Sequence, residues 1–365
     1  MFNNVYKGKK VVVTGHTGFK GTWLTQWLIM LGAEVMGISD GVPTNPSMFE
    51  ILEFQEKILH RVVDVRDIVS LTEAIHGFEP DFIFHLAAQA IVSTSYIDPL
   101  GTISTNVIGT ANVLESIRTL TKPCVAVIIT SDKCYENVEW EWGYRETDHL
   151  GGKDIYSASK GAAEVVFHAY FQSFLKHQPE IRIASARAGN VIGGGDWAKD
   201  RIIVDSVISW NDEKPVSIRS PEATRPWQHV LEPLSGYLWL GANLASNKAL
   251  NGESFNFGPR AEQNRRVIEL IADVFKYWQK SFECYQITGN VPFHEAGLLK
   301  LNCDKALFHL RWEPTLFYEE CVRMVGEWYA GFYIHDHDVK MLTRQQIEKY
   351  MQLASERGNR WTLPS

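Results

Sequence analysis

A glycine-spaced turn between an apolar run and a helical segment constrains the fold most. Val11-Val12-Val13-Thr14 is rich in β-branched residues and leads into Gly15-His16-Thr17-Gly18-Phe19-Lys20-Gly21. A helical pattern then runs from about Lys20 to Leu31. Glycines at Gly15, Gly18 and Gly21 let the backbone turn tightly and approach a pyrophosphate. The helix N-terminus adds free N–H groups and partial positive charge. Glycines in a βα turn can be merely structural, but the strand before and the helix after favour a dinucleotide.

Downstream, short apolar runs alternate with helical segments. Val35–Ser39, Val62–Val63, Phe82–Leu86, Val125–Thr130 and Arg182–Ala186 read as strands. Ile68–Ile75, Thr105–Leu120 and Ser159–Lys176 read as helices. Continuous β-branched runs imply strands covered on both faces, hence a parallel sheet. Strand–helix alternation implies βαβ crossovers and an α/β, doubly wound fold. After residue 186 the regularity loosens: Gly- and Pro-rich loops fall at 193–195, 214–226 and 256–260, with helices near 266–279 and 340–356. The expectation is a dinucleotide-binding domain over 1–186 and a smaller C-terminal α/β substrate-binding lobe over 187–365, the second interleaved with the first. There is no internal repeat and no low-complexity stretch.

Bulk properties narrow the function classes. With 45% apolar and 22% charged residues the chain is an ordinary compact soluble type. A net charge of −7 without a Lys/Arg run argues against nucleic acid or membrane surfaces as partners. Cys124, Cys134, Cys284, Cys303 and Cys321 are odd in number and form no CxxC pair, so reduced thiols in the cytoplasm are expected. The N-terminal MFNNVYKGKK has no apolar core of a signal peptide, and runs such as Trp27–Leu31 are too short to span a bilayer.

The second chemical signal is Tyr156-Ser157-Ala158-Ser159-Lys160, which puts Tyr156 and Lys160 on one helix face. A phenol near pKa 10 is a weak base at neutral pH, and a nearby ammonium favours the phenolate. Lys160 can do this and also hold a nicotinamide ribose. Ser131 closes the strand Val125–Thr130, where its hydroxyl would meet the oxygen that Tyr156 deprotonates. The cofactor's 2′-hydroxyl calls for a carboxylate about 20 residues past the glycines. Asp40 stands at that distance, although a surface turn aspartate would look the same. No arginine lies between residues 22 and 60, so NAD is expected over NADP, with Lys20 the one dissenting residue.

The G-x-x-G-x-x-G spacing and the YxxxK pair together resemble the extended short-chain dehydrogenase/reductase superfamily, which implies a Rossmann-type sheet. That resemblance also implies cofactor contacts from Thr14, Thr17, Phe19, Asp64, Val65, Leu86, Ala87, Ala88 and Thr105. Three peptides sharpen it: Ser131-Asp132-Lys133-Cys134-Tyr135, Arg187 to Trp197, and Arg225-Pro226-Trp227-Gln228-His229-Val230. With the Pro43–Ser47 loop they closely resemble the CDP-glucose 4,6-dehydratases, to about residue 330. The resemblance implies NAD regenerated in each turnover and CDP-glucose as substrate. It makes Tyr156 the base at the sugar 4-hydroxyl and Asp132 the acid that expels the 6-hydroxyl as water.

Lys133 stands where related dehydratases carry a carboxylate base for the C5 proton. As a base it must be neutral, which burial or a neighbouring cation favours. Kept charged, it would instead stabilise the enolate. For the substrate's nucleotide and sugar, Gln89, Asn190, Arg201, Arg219, Arg225 and Arg260 are the candidates, arginine being suited to bidentate phosphate contacts. Any one of these arginines could equally be a surface residue, and cytosine selectivity rests on resemblance alone.

His335-Asp336-His337-Asp338 reads as a solvated loop, and no metal is expected. In such proteins the helices Thr105–Leu120 and Ser159–Lys176 commonly pair between subunits, so a homo-oligomer, dimer or tetramer, is expected. The nearest rival is a nucleotide-sugar 4-epimerase, which needs Tyr156 and Ser131 but no acid. A non-catalytic dinucleotide sensor on the same fold is the rival from another class, and retention of Tyr156, Lys160, Ser131 and Asp132 together argues against it.

Overall fold

The computed structural model describes residues 1–260, 262–288 and 298–363. Its centre is a seven-stranded sheet. In chain order the strands are β1 (Lys10–Thr14), β2 (Glu34–Ser39), β3 (Leu59–Val62), β4 (Phe82–His85), β5 (Cys124–Ile129), β6 (Ile181–Ala188) and β7 (Ser254–Phe257). They lie side by side as β7-β6-β5-β4-β1-β2-β3, every pair parallel. The order reverses between β1 and β4, so the carboxyl ends of these strands open the crevice where doubly wound folds bind ligands.

The strands are apolar because both faces are covered. Val11, Val13, Phe84 and Val127 face a core with Trp23, Trp27, Tyr237 and Leu238. Val12, Ile38, Ile83 and Ile128 face one with Leu71, Val113 and Phe167. Each such side chain contributes about 1.5–3 kcal/mol on leaving water. The helices that supply these layers include α1 (Phe19–Met30), α2 (Ile68–Phe78), α3 (Gly109–Arg118), α4 (Ile155–Ser173) and α5 (Leu231–Ser246).

Two elements depart from the sequence reading. The third strand is Leu59–Val62 rather than Val62–Val63. It is a sheet edge, with Leu59 41% and Val62 68% exposed, so no buried apolar run marks it. The helix expected over Thr105–Leu120 is broken into Pro99–Ile103, a π turn at Ser104–Ile108, and α3. The wider turn carries Asn106, whose amide bonds inward at both ends. The helix expected from Ser159 begins earlier, at Ile155, because Asp154 caps it by accepting from Ser157 N at 2.9 Å.

Beyond residue 187 the chain returns to the central sheet to supply α5 and β7. The rest of the second region holds three small ladders, pairing Val191–Ile192 with Gln228–His229, Thr224–Pro226 with Asn264–Arg266, and Val216–Ile218 with Tyr285–Ile287. The helices that come later include α6 (Tyr318–Tyr333) and α7 (Val339–Glu356). Asp338 of the His-Asp stretch caps α7 by accepting from Lys340 N and Met341 N. Among the described residues, no helix is long and apolar enough to cross a membrane. The five cysteines are free thiols, three of them buried.

Candidate active site

The turn from β1 to α1 is built by its glycines. Gly15 has φ +72°, and a Cβ there would lie 2.7 Å from Ala87 N; at Gly21 one would lie 2.1 Å from Gly15 O. These two positions therefore admit only glycine without backbone movement. A Cβ on Gly18 would meet nothing closer than Gly15 O at 3.4 Å, so its backbone faces open space at the start of α1. Thr14 Oγ1 accepts from Ala87 N at 3.2 Å, joining the ends of β1 and β4. Thr17 donates to Gly41 O at 2.7 Å, which brings the loop after β2 against the turn.

Along this crevice Asp40 is exposed and Val65 buried, while Asp64 takes the side-chain fork of Arg66. Leu86, Ala87, Ala88, Phe19 and Thr105 are half-buried around it. Lys20 lies in the first turn of α1. Its ammonium interacts with Asp132, Lys160, Arg201 and Asp196, and burial, then the charge of Arg201, pushes it down to about 8. The dissenting lysine is thus engaged with the charged groups around Asp132 and Lys160.

Tyr156 and Lys160 lie in the first turns of α4, each less than a tenth exposed. Burial pushes Tyr156 up to about 12, opposed first by its hydrogen bond with Ser131 and then, past the adverse charge of Asp132, by Arg201. Burial brings Lys160 down to about 8, with Cys134 and Glu164 supporting its charge. Ser131 caps a short turn, Asp132–Cys134, through Lys133 N, and donates to Asp132 Oδ1 at 2.9 Å. Asp132 is 4% exposed. Burial raises its carboxyl above the usual range against the charge of Lys133, the Ser131 hydrogen bond and Lys20. Ser131, Asp132 and Tyr156 are therefore together, with Lys160 on the same helix and half-buried Lys133 next in the chain.

The expected substrate groups divide. Arg201 pairs with Asp196 at 2.5 Å, and its charge bears on Tyr156. Arg219 lies near Asp205, Arg225 donates to Thr224 O, and the guanidinium of Arg260 is 5.9 Å from the Phe317 ring centre. Asn190 is half-buried after β6. Gln89 spends its amide internally, donating to Thr102 Oγ1 at 2.8 Å and accepting from Ile91 N.

Three residues escaped the sequence reading. Asn106 accepts from Gln89 N at 2.9 Å and donates to Ser159 Oγ at 2.9 Å, fixing the loop after β4 to α4. A buried asparagine inside an apparent helix was its only signal. Glu164 and Arg187 form a buried ion pair that also bonds Thr130 and Tyr135.

The geometry agrees with what the chain resembles. The family model described as GDP-mannose 4,6 dehydratase matches residues 12–325. A CDP-glucose 4,6-dehydratase of Salmonella typhimurium is 43% identical over 352 residues, covering 95% of this chain and 98% of that protein. Among solved structures, an epimerase from Methanothermobacter thermautotrophicus superposes with TM-score 0.79 at 22% identity, covering 94% of this chain and 96% of that one. The dTDP-glucose 4,6-dehydratase DesIV of Streptomyces venezuelae, solved with NAD and TYD bound, gives 0.75 at 19% identity, covering 89% and 99%. With the strand order, the glycine turn and the tyrosine–lysine helix in place, the chain belongs to the GDP-mannose 4,6-dehydratase family.

Proposed function

We propose that the chain is an NAD-dependent hydro-lyase that converts CDP-glucose to CDP-4-dehydro-6-deoxyglucose, a step towards deoxysugars. One observation carries this reading: a buried Asp132, its carboxyl raised above the usual range by burial, stands beside Ser131 and Tyr156. A 4-epimerase has no leaving water to protonate and no use for that acid. The 43% identity to the Salmonella enzyme supports the same substrate.

The residues present fit the cofactor. Gly15, Gly18 and the first amides of α1 suit its pyrophosphate, Asp40 its adenosine ribose, Asp64 and Val65 its adenine, and Tyr156 and Lys160 its nicotinamide ribose. When bound, NAD supplies a two-electron acceptor that the cycle regenerates. Tyr156 takes the proton of the sugar 4-hydroxyl while Ser131 hydrogen-bonds that oxygen. A ketone at C4 acidifies the C5 proton, and Lys133 is the positional candidate to take it. Asp132 gives its proton to the 6-hydroxyl, which leaves as water. Arg201 and Asn190 are the candidates to receive the diphosphate and sugar oxygens.

The free thiols suit a reducing cytoplasm. Apolar side chains exposed beside α4 suit a homo-oligomer. The test is incubation of the purified chain with CDP-glucose and NAD, followed by mass spectrometry. A product lighter by one water supports the reading. Recovery of intact sugar inverted at C4 replaces it with epimerisation.

A further inference from the structure

Ser131, Asp132 and Lys133 lie between Thr130 and Tyr135, and one buried ion pair grips both of these flanking residues. Glu164 and Arg187 have side chains 0% and 1% exposed. Arg187 donates to Glu164 through Nε at 2.9 Å and Nη2 at 2.8 Å, a two-pronged contact. Glu164 Oε1 also accepts from the Thr130 hydroxyl, and Oε2 from Ser185 Oγ at 2.9 Å. The remaining prong of Arg187 donates to Tyr135 OH at 2.7 Å, with the guanidinium 4.9 Å from that ring's centre. Tyr135 OH in turn donates to Asn256 Oδ1 on β7 at 2.8 Å.

Glu164 sits two turns beyond Tyr156 and one beyond Lys160 on α4. The pair therefore ties the helix of the base to both ends of the segment that bears the acid. Stability alone does not account for it, because well-packed apolar residues of similar volume often serve a buried site as well or better. What an ion pair with every prong engaged adds is direction. We propose that Glu164 and Arg187 are positioning residues, which hold Asp132 at its working place relative to Tyr156 by clamping Thr130 and Tyr135. This proposal rests on the dehydratase reading for its kinetic consequences, though not for its geometry.

Removing either charge leaves the other buried and unpaired, so the test removes one clamp at a time with Thr130→Val and Tyr135→Phe. A misplaced acid costs up to about 10²-fold in rate. The expected result is a fall in kcat of roughly ten- to a hundredfold, with KM for CDP-glucose within about twofold. Asp132 is faced by Lys20 from α1, Lys133 and Cys134 from its own turn, Tyr156 from α4 and Tyr237 from α5. Loosening the segment lets water reach its carboxyl, so the pH at which that carboxyl ionises should fall. The infrared carboxyl band of Asp132, assigned with Asp132→Asn and titrated on the protein alone, should shift likewise. Unchanged kcat and titration, whatever happens to the melting temperature, would reduce the pair to a structural role. If the unmodified protein leaves every nucleotide sugar intact, the dehydratase reading fails while the titration still decides the positioning.

Discussion

Asp132 shares one carboxylate oxygen with Ser131 and leaves the other without a partner. Ser131 Oγ donates to Oδ1 at 2.9 Å, whereas Oδ2 is buried with no hydrogen bond among the described residues. Burial of a carboxyl so poorly solvated disfavours its charged form and raises it above the usual carboxylate range. Asp132→Asn should lower kcat by about 10²–10⁴-fold, the usual worth of a general acid. Its stability should move the other way. A carboxyl raised in the folded state contributes stability below its unfolded value and loses it as pH rises through the folded one. The asparagine variant should therefore melt higher than the parent at pH 8 and show less advantage near pH 4. Equal rates for variant and parent would remove Asp132 from the chemistry.

Tyr156 and Lys160 are both shifted against ionisation, up to about 12 and down to about 8, burial being the main cause in each. Lys160 thus loses its charge as pH passes about 8. Catalysis that uses this ammonium should decline there, visible in kcat/KM against pH. Lys160→Met should abolish that limb along with most of the rate, and Tyr156→Phe should cost about 10²-fold or more without unfolding the chain. A persistent limb in the methionine variant would assign it to another group.

What was legible in the sequence follows the physics of each signal. β1, β2, β4, β5 and β6 are covered on both faces and so are written as apolar runs. The edge strand β3 is half-wet and is not. Gly15 and Gly21 were legible because sterics leave no other residue. Tyr156, Lys160 and Ser131 could be singled out through local spacing at a strand end and on a helix, and Asp132 through the family resemblance. Asn106, Glu164 and Arg187 were not, because their meaning lies in partners 17 to 53 residues away. Arg201 was found as a cation but not as one whose charge bears on Tyr156, since that influence depends on how the loop bearing Asp196 folds back.

Buried histidines set the acid limit of stability. Burial lowers His16 to about 4, and His85 and His229 to about 3, with His60 adding to the shift at His16. Unfolded histidines near 6.5 take protons first as pH falls, so the stability each contributes is present above 6.5 and drains towards 4 and 3. Glu232 opposes them. It accepts from Thr315 N, Leu316 N and Tyr350 OH, yet burial raises it to about 7, so the folded protein takes that proton first. Glu232→Gln should steepen the loss of unfolding free energy between pH 6 and 5 by about one proton, about 1.4 kcal/mol per pH unit. Denaturant titrations at several pH values check this, and an unchanged slope would mean that Glu232 is already ionised there.

The exposed apolar face beside α4 predicts association. Ile97 is 85% and Leu100 78% exposed, at the end of Val92–Ile97 and in Pro99–Ile103, which pack against α4. On α4 itself Val165 is 58% exposed. Side chains of this size left in water each forgo about 1.5–3 kcal/mol, which a second copy of the chain would recover. The unmodified protein should therefore elute as a dimer or larger, and Leu100→Glu with Val165→Glu should shift it to a monomer with its circular dichroism unchanged. A monomer before substitution would overturn this. The helix bearing Tyr156 would then owe its order to internal contacts alone, among them the Glu164–Arg187 pair, the Asn106–Ser159 bond and the buried Phe167.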